Sequence, residues 1–343
     1  MTTERPALEA LSNPRSDRVR AVARLSGRSA RQRAGRFLVE GPQGVREAVA
    51  EHVAHRSGHQ GGTPVAPERG GSPHAGGAPG TLRELYATPD AAARYPEILD
   101  AAAGSGVPAR IVTDEVLAAM LAGAGTTTPQ GLLAVCDLIT VGLDSVIAAR
   151  PRLVAVLSQV RDPGNAGTVI RAADAAGADA VVLTDASVDV HNPKCVRSTA
   201  GSLFHLPVVA GVPLADAVRR LKQAGLAVLA ADGAGDFDLD ELADDAEDRE
   251  VSSSTPESST PESSTPGAPH LERSAAWVFG NEAWGLPQAD RDLADAVVRV
   301  PVHGRAESLN LGTAATVCLY ATARAQRREQ RRAQRRFTMA ETA

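Results

Sequence analysis

Aromatic residues are scarce in this chain: five Phe, three Tyr and two Trp, or 3% of 343 residues. Its cores must therefore be packed from Ala, Val and Leu, and a nucleic-acid surface built from stacked rings is not expected. Cysteine is equally sparse. Cys136, Cys195 and Cys318 lie far apart, in odd number and outside any metal-ligand spacing, which argues against a disulfide framework or a zinc site and for a reducing compartment. No apolar run reaches the roughly 20 residues that a membrane helix needs. The first twenty residues also lack the apolar centre of a signal peptide, so the expectation is a soluble cytoplasmic protein with no membrane partner. The G-x-G-x-x-G fingerprint, the G-x-x-x-x-G-K-[ST] phosphate loop and the G-x-S-x-G elbow are all missing. An ordinary dinucleotide enzyme, a P-loop NTPase and an α/β-hydrolase are unsupported for that reason.

What charge there is has been sorted along the chain. The formal net charge is −5, yet residues 232–250 hold ten acids against Arg249 alone. Residues 1–50 hold ten arginines against five acids, and RAQRREQRRAQRR (324–336) holds seven arginines against Glu329. Two arginine-rich ends suit a polyanionic partner, with phosphate the obvious candidate. A solvated helix face accounts for the same charge equally well.

Two stretches break the pattern. RSGHQGGTPVAPERGGSPHAGGAPG (56–80) has no periodicity, and the region from about 233 to 270 contains an acidic block followed by STPES repeats. Neither holds enough apolar surface to offset its chain entropy, so both are expected to be disordered insertions. Around them the pattern is α/β. A small alternating domain is expected over 1–145, a second α/β domain over 150–325, and an Arg-rich tail over 326–343. In the second domain LVAVLSQV, ADAVVLTD, LAVLAAD, AAWVFGN and AVVRVPV read as buried strands between amphipathic helices. That pattern predicts a parallel sheet covered on both faces.

In such sheets ligands bind beyond the carboxyl ends of the strands. Those ends carry QVRDPGNAG, FGNEAWGLP and VPVHGRAESLN, each with glycine for close backbone approach and a few polar side chains. Asn165 falls where it could cap the helix that follows. Arg171 lies about one and a half turns further on, as either an anion contact or a surface residue. Glu282 sits between two glycines of a turn. Ser308 reads as the N-cap of the last helix. A cofactor held mainly by backbone groups at three loops is the remaining idea.

The ordered set DPGNAGTVIRAADAAGADAVVLT (162–184), WVFGNEAWGLP (277–287) and VRVPVHGRAESLNLGTAATVCLY (298–320) resembles the three signature motifs of SpoU-type (TrmH-like) RNA ribose 2′-O-methyltransferases of the SPOUT superfamily. NPKCVRSTAGSLFHLPVV (192–209) is similar to the segment that family carries between its first two motifs. The N-terminal LSNPRSDRVRAVARLSGRSARQRAGRFLVEGPQGVREAV and TTTPQGLLAV (126–135) resemble its accessory substrate-binding domain, a small ribosomal-protein-like α/β unit. The resemblance implies a parallel sheet with a deep trefoil knot, S-adenosylmethionine as cofactor, and a homodimer. It places cofactor contacts on Gly280, Val300 and Leu309. The catalytic and substrate-orienting set falls on Asn165, Arg171, Glu282, Ser308 and Asn310. The implied substrate is a ribose 2′-hydroxyl of RNA, ribosomal RNA before tRNA because of the accessory domain. The N-terminal arginines from Arg15 to Arg36 would meet that RNA. A non-catalytic RNA-binding protein on the same scaffold is the alternative from another class, and retention of the whole polar set counts against it.

Overall fold

The computed structural model of the chain describes residues 11–58, 81–252 and 267–341. These fall into two compact units, one formed by residues 1–140 with 189–205, the other by 141–188 with 206–343. The segment expected between the first two motifs thus contributes 189–205 to the N-terminal unit.

Among its described residues the N-terminal unit holds four strands, β1 (Arg36–Glu40), β2 (Leu82–Ala87), β3 (Ala109–Ile111) and β4 (Leu132–Asp137), in the order β1-β4-β2-β3. β4 runs antiparallel to both β1 and β2, while β3 is parallel to β2. Leu38, Tyr86, Leu133 and Val135 from the sheet pack with Val19, Val22, Val116, Leu117 and Met120 from helices. Apart from Tyr86 this cluster is aliphatic, as the shortage of aromatics requires. Arg31 is among the most buried side chains of the unit at 1% exposure. Its Nε and Nη2 donate to Asp189 Oδ2 at 3.0 and 2.6 Å, and its Nη1 donates to the carbonyls of Leu25 and Ser26. A buried charge needs this complete pairing. Arg31 is therefore a structural residue, contrary to its expected place among the RNA-facing arginines.

The second unit carries β5 (Leu153–Leu157), β6 (Ala180–Thr184), β7 (Val208–Val212), β8 (Ala227–Ala231), β9 (Phe237–Asp238), β10 (Ala275–Phe279) and β11 (Ala296–Arg299). Their order is β7-β6-β5-β10-β8-β11-β9, and every pairing is parallel. β5, β6 and β10 are buried throughout, as strands covered on both faces must be. One face supplies Val154, Val156, Val182, Val228, Ala230, Ala276 and Val278 to a core with the helix Leu214–Gln223. The helices Pro163–Ala176 and Leu311–Glu341 pack on each other, and both reach β5. There Trp277 is fully buried and its Nε1 donates to Thr322 Oγ1 at 2.8 Å. β10 pairs simultaneously with β5, through Ala275–Leu153, and with β8, through Ala275–Ala227. A late segment of the chain thus lies between two earlier strands.

Two expectations change. Within the stretch expected to lack order, residues 237–252 form β9 and the helix Leu239–Ser252. Leu239 and Leu242 are buried there. Arg249 pairs with Glu272 at 3.1 Å and Glu247 with Arg328 at 2.8 Å. The acidic block finds cations to pair with and leucines to bury, which its composition alone does not disclose. The last helix is also continuous from Leu311 to Glu341, running through the arginines expected in a separate tail. From residue 59 the first insertion, and over 253–266 the STPES repeat, lie outside the described residues.

Candidate active site

The carboxyl ends of β5, β10, β8 and β11 lie side by side, and a cavity of about 500 Å³ opens among the last three. Its lining includes Asp232 and Gly233 after β8, Gly280 to Glu282 after β10, and Val300, Ser308, Leu309 and Asn310 after β11. A volume of this order suits a small-molecule ligand or cofactor. Among the described residues three carboxylates line it, Asp232, Glu282 and Glu307, and no Lys or Arg does, although Asp232 is paired with Arg291 behind the wall at 3.0 Å. The site therefore favours a cationic ligand.

The wall after β10 is a closed turn. Asn281 N–H donates to Gly285 O at 3.0 Å, and Gly285 N–H donates back to Asn281 O at 2.9 Å. Gly285 holds φ +66°, a conformation natural to glycine. Gly280 is glycine for a steric reason: a Cβ there would stand 2.7 Å from Leu286 N and closer still to the carbonyl of Gly285. The buried Asn281 side chain accepts from Ala283 N–H at 2.9 Å and donates to Gln159 O at 2.7 Å. Gln159 is itself left-handed, with φ +53°, and its N–H donates to Thr184 Oγ1 at 3.1 Å. Hydrogen bonds on both sides thus hold a strained residue at the end of β5.

A polar relay joins the three loops. Asn165 Nδ2 donates to Glu282 Oε1 at 3.2 Å, and Asn310 Nδ2 donates to Asn165 Oδ1 at 3.1 Å. Asn165 is free for this because it does not cap its helix. Asp162 does, accepting from Asn165 N–H at 2.8 Å ahead of Pro163 in the first turn. Nor does Ser308 cap the last helix, which begins at Leu311. Asn310 is the cap: its Oδ1 accepts from Gly312 N–H at 2.9 Å and its carbonyl from Ala314 N–H at 2.9 Å. Ser308 stands exposed on the cavity wall two residues earlier. Both expected caps were displaced by a neighbouring short acceptor: Asp162, with the extended backbone of an N-cap (φ −80°, ψ 119°), and Asn310, whose Oδ1 reaches the Gly312 N–H.

The structure brings Asn165, Glu282 and Asn310 into one network, and places Gly280, Val300, Leu309, Glu282, Ser308 and Asn310 on the cavity wall. Arg171 does not join them. It is exposed on the outward face of the helix Pro163–Ala176, and no hydrogen bond or ion pair engages it among the described residues. Three residues escaped the sequence reading. Asp232 lines the cavity and pairs with Arg291 at 3.0 Å. Its signal was an acid directly after the apolar run LAVLAA. Arg161 stacks its guanidinium over Trp284, 5.0 Å from the ring centroid. Both lie in the strand-end loops QVRDPGNAG and FGNEAWGLP, but only the fold discloses that they meet.

Comparison with known proteins agrees with this geometry. Residues 152–320, which include the whole cavity wall, match the SpoU rRNA Methylase family. The chain is 28% identical over 317 residues to the 23S rRNA (guanosine(2553)-2'-O)-methyltransferase RlmP of Bacillus subtilis, covering 91% of this chain and 98% of that one. To the 23S rRNA (guanosine-2'-O-)-methyltransferase RlmB of Ralstonia nicotianae it is 30% identical over 236 residues, 67% of this chain and 82% of that one. The SpoU methyltransferase AviRb from Streptomyces viridochromogenes, solved in complex with AdoMet, superposes with a TM-score of 0.63 at 28% identity, covering 90% of this chain and 98% of that one. With its parallel sheet, its strand-end cavity and these relatives, the chain belongs to the SpoU rRNA methylase family.

Proposed function

We infer that the protein transfers a methyl group from S-adenosylmethionine to a ribose 2′-hydroxyl of RNA, with ribosomal RNA the favoured substrate. The observation that carries this reading is the cavity beyond β10, where Gly280, Val300 and Leu309 meet an acidic wall and the Asn165–Glu282–Asn310 relay. The cofactor fits the site chemically. Its sulfonium and ammonium charges suit a wall that carries Glu282 and Glu307 besides the Arg291-paired Asp232, and Gly280 lets backbone groups approach closely. Gly280, Val300 and Leu309 would hold it. Bound there, it would supply an electrophilic methyl group to the 2′-oxygen, the carbon–sulfur bond breaking and the neutral thioether leaving as the carbon–oxygen bond forms and the hydroxyl gives up its proton.

The protein's own residues orient the hydroxyl and handle that proton. Ser308 has no hydrogen-bond partner among the described residues and lines the cavity, so its hydroxyl is available to a ribose oxygen. Asn310 and Asn165 hold the loops in register. Glu282 is engaged at 3.2–3.5 Å by Asn165 Nδ2 and the N–H groups of Arg161 and Asp162. Those long contacts leave its carboxylate with acceptor capacity for the hydroxyl proton. Arg171 stands apart from the cavity wall of the single chain; the resemblance to the family, rather than a contact, assigns it to stabilise the developing alkoxide or a neighbouring phosphate, since an arginine side chain is a cation and not a base. Alignment of oxygen, methyl carbon and sulfur contributes up to roughly 7–11 kcal/mol in favourable systems.

The reading includes a homodimer and a cytoplasmic location. Val317 and Tyr320, 38% and 43% exposed, stand one turn apart on the last helix and offer an apolar face to a second copy. No helix among the described residues is long and apolar enough to cross a membrane. The knot belongs to the same reading, supported by the insertion of β10 between β5 and β8. The test is transfer of a tritiated methyl group to ribosomal RNA from cells lacking the gene, followed by mapping of alkali-resistant linkages. Incorporation into tRNA alone would reassign the substrate, and none into either RNA would refute the activity.

A further inference from the structure

The turn after β10 displays a side chain that the reaction described above does not use. Trp284 is 48% exposed, although the Arg161 guanidinium already lies over its ring, 5.0 Å from the centroid. The other tryptophan of the chain, Trp277, is fully buried. Leaving the indole in water forfeits apolar burial. The loop does not hold it there through slackness. Asn281 and Gly285 close the turn with two mutual backbone bonds, and the Asn281 side chain ties it to Ala283 and to Gln159. Ala283 and Gly285, on either side of Trp284, both line the cavity.

We propose that Trp284, backed by Arg161, is a base-stacking residue that receives an unpaired nucleobase of the RNA beside the reacting ribose. A guanidinium over one face of an exposed indole polarises it and adds positive charge where a phosphate-bearing ligand must approach. Every base has a π-face, and protein recognition of RNA depends on bases splayed out of the helix onto aromatic or arginine planes. A rigid platform beside the cavity would hold the target nucleotide so that its 2′-hydroxyl meets the methyl group. A chain with so few aromatics can place one where a single stacked base sets the register. This proposal rests on the functional reading above, because it requires an RNA substrate.

The test compares wild type, Trp284→Ala and Trp284→Phe. Methyl transfer gives KM for RNA, calorimetry gives the Kd for S-adenosylmethionine, and light scattering gives the oligomeric mass. Trp284→Ala is expected to raise KM for RNA by on the order of ten- to a hundredfold. Cofactor affinity, mass and melting temperature should stay unchanged, and Trp284→Phe should recover most of the loss. RNA should quench tryptophan emission in wild type and leave it unaltered in Trp284→Phe, which retains only the buried Trp277. An unchanged KM with no quenching overturns the proposal. So does a weakened cofactor affinity, which would assign Trp284 to the cavity, or a changed mass, which would assign it to contact with a second copy. A wild type that methylates no RNA refutes the functional reading, and the stacking proposal falls with it. An active wild type with a normal Trp284→Ala variant sinks the stacking proposal alone.

Discussion

Asn310 donates its side-chain N–H to the side-chain oxygen of Asn165 at 3.1 Å, across 145 residues of sequence. Each asparagine has a second engagement. Asn165 reaches Glu282, and Asn310 caps the last helix. Three strand-end loops that are distant in sequence are thereby joined by two amide side chains at the wall of one cavity.

Replacement of these two asparagines should be non-additive, because they share a bond. Asn165→Ala removes its bonds to Glu282 and to Asn310 together. At about 0.5–1.5 kcal/mol for each bond, kcat/KM should fall roughly tenfold. Asn310→Ala should also lower the melting temperature, since loss of a cap costs about 0.5–2 kcal/mol. The double variant should lose less than the sum of the two single losses. Strict additivity in kinetics and in melting would show that the relay is not a unit.

Gly280→Ala tests the cavity wall. The added methyl would collide with the backbone of Gly285 and Leu286 rather than with a movable side chain. Overpacking of this kind costs about 1–3 kcal/mol. Relief by shifting the Asn281–Gly285 turn should weaken S-adenosylmethionine binding by roughly five- to a hundredfold. Calorimetric titration of the variant measures this, and an unaltered Kd would remove Gly280 from the cofactor site.

Replacement of Arg171 is expected to separate chemistry from binding. Its exposure, and the lack of a hydrogen-bond or ion-pair partner among the described residues, predict that Arg171→Ala folds and binds cofactor as wild type does. Loss of one donor that stabilises developing charge lowers kcat by about 10²–10³. Single-turnover methyl transfer alongside cofactor titration checks the split. Weakened cofactor binding in this variant would overturn the assigned role.

His191 predicts an acid limit to stability in the N-terminal unit. Its ring is buried against Phe37, Nε2 accepts from Ile139 N–H at 3.3 Å, and Nδ1 faces Asp189 at 3.8 Å. Burial pushes its pKa down from 6.5 to about 4. Asp189 opposes that shift and Arg31 adds to it. The unfolded chain therefore binds this proton at a higher pH than the folded one does. Stability is complete above about 6.5 and is lost as pH falls towards 4, where the folded imidazole also protonates. Denaturant unfolding from pH 7 to pH 4 should show this slope. His191→Gln, which keeps an acceptor for the Ile139 N–H but has nothing to titrate, should flatten it.

Much of the catalytic unit was legible in the sequence because its signals are local. Apolar strands, glycines at strand ends and the three motif loops each occupy a short window, and the family resemblance those loops carry singled out Gly280, Val300 and Leu309, which line the cavity. The caps were misplaced because Asp162 and Asn165, or Ser308 and Asn310, are equivalent candidates until the backbone assumes its angles. The acidic block over 237–252 looked unable to fold because its stabilising partners, Glu272 and Arg328, lie elsewhere in the chain.

By itself the sequence determined a parallel α/β sheet of small apolar residues, glycine-rich loops at its carboxyl ends, and the polar residue types available there. Only the tertiary structure decided which of those residues meet. It buried Arg31 on Asp189, left Arg171 exposed and apart from the relay, and set Arg161 over Trp284. The physical reason is that each of these outcomes depends on the approach of segments far apart in the chain. Local propensity carries no information about such an approach until the sheet order brings the loops together.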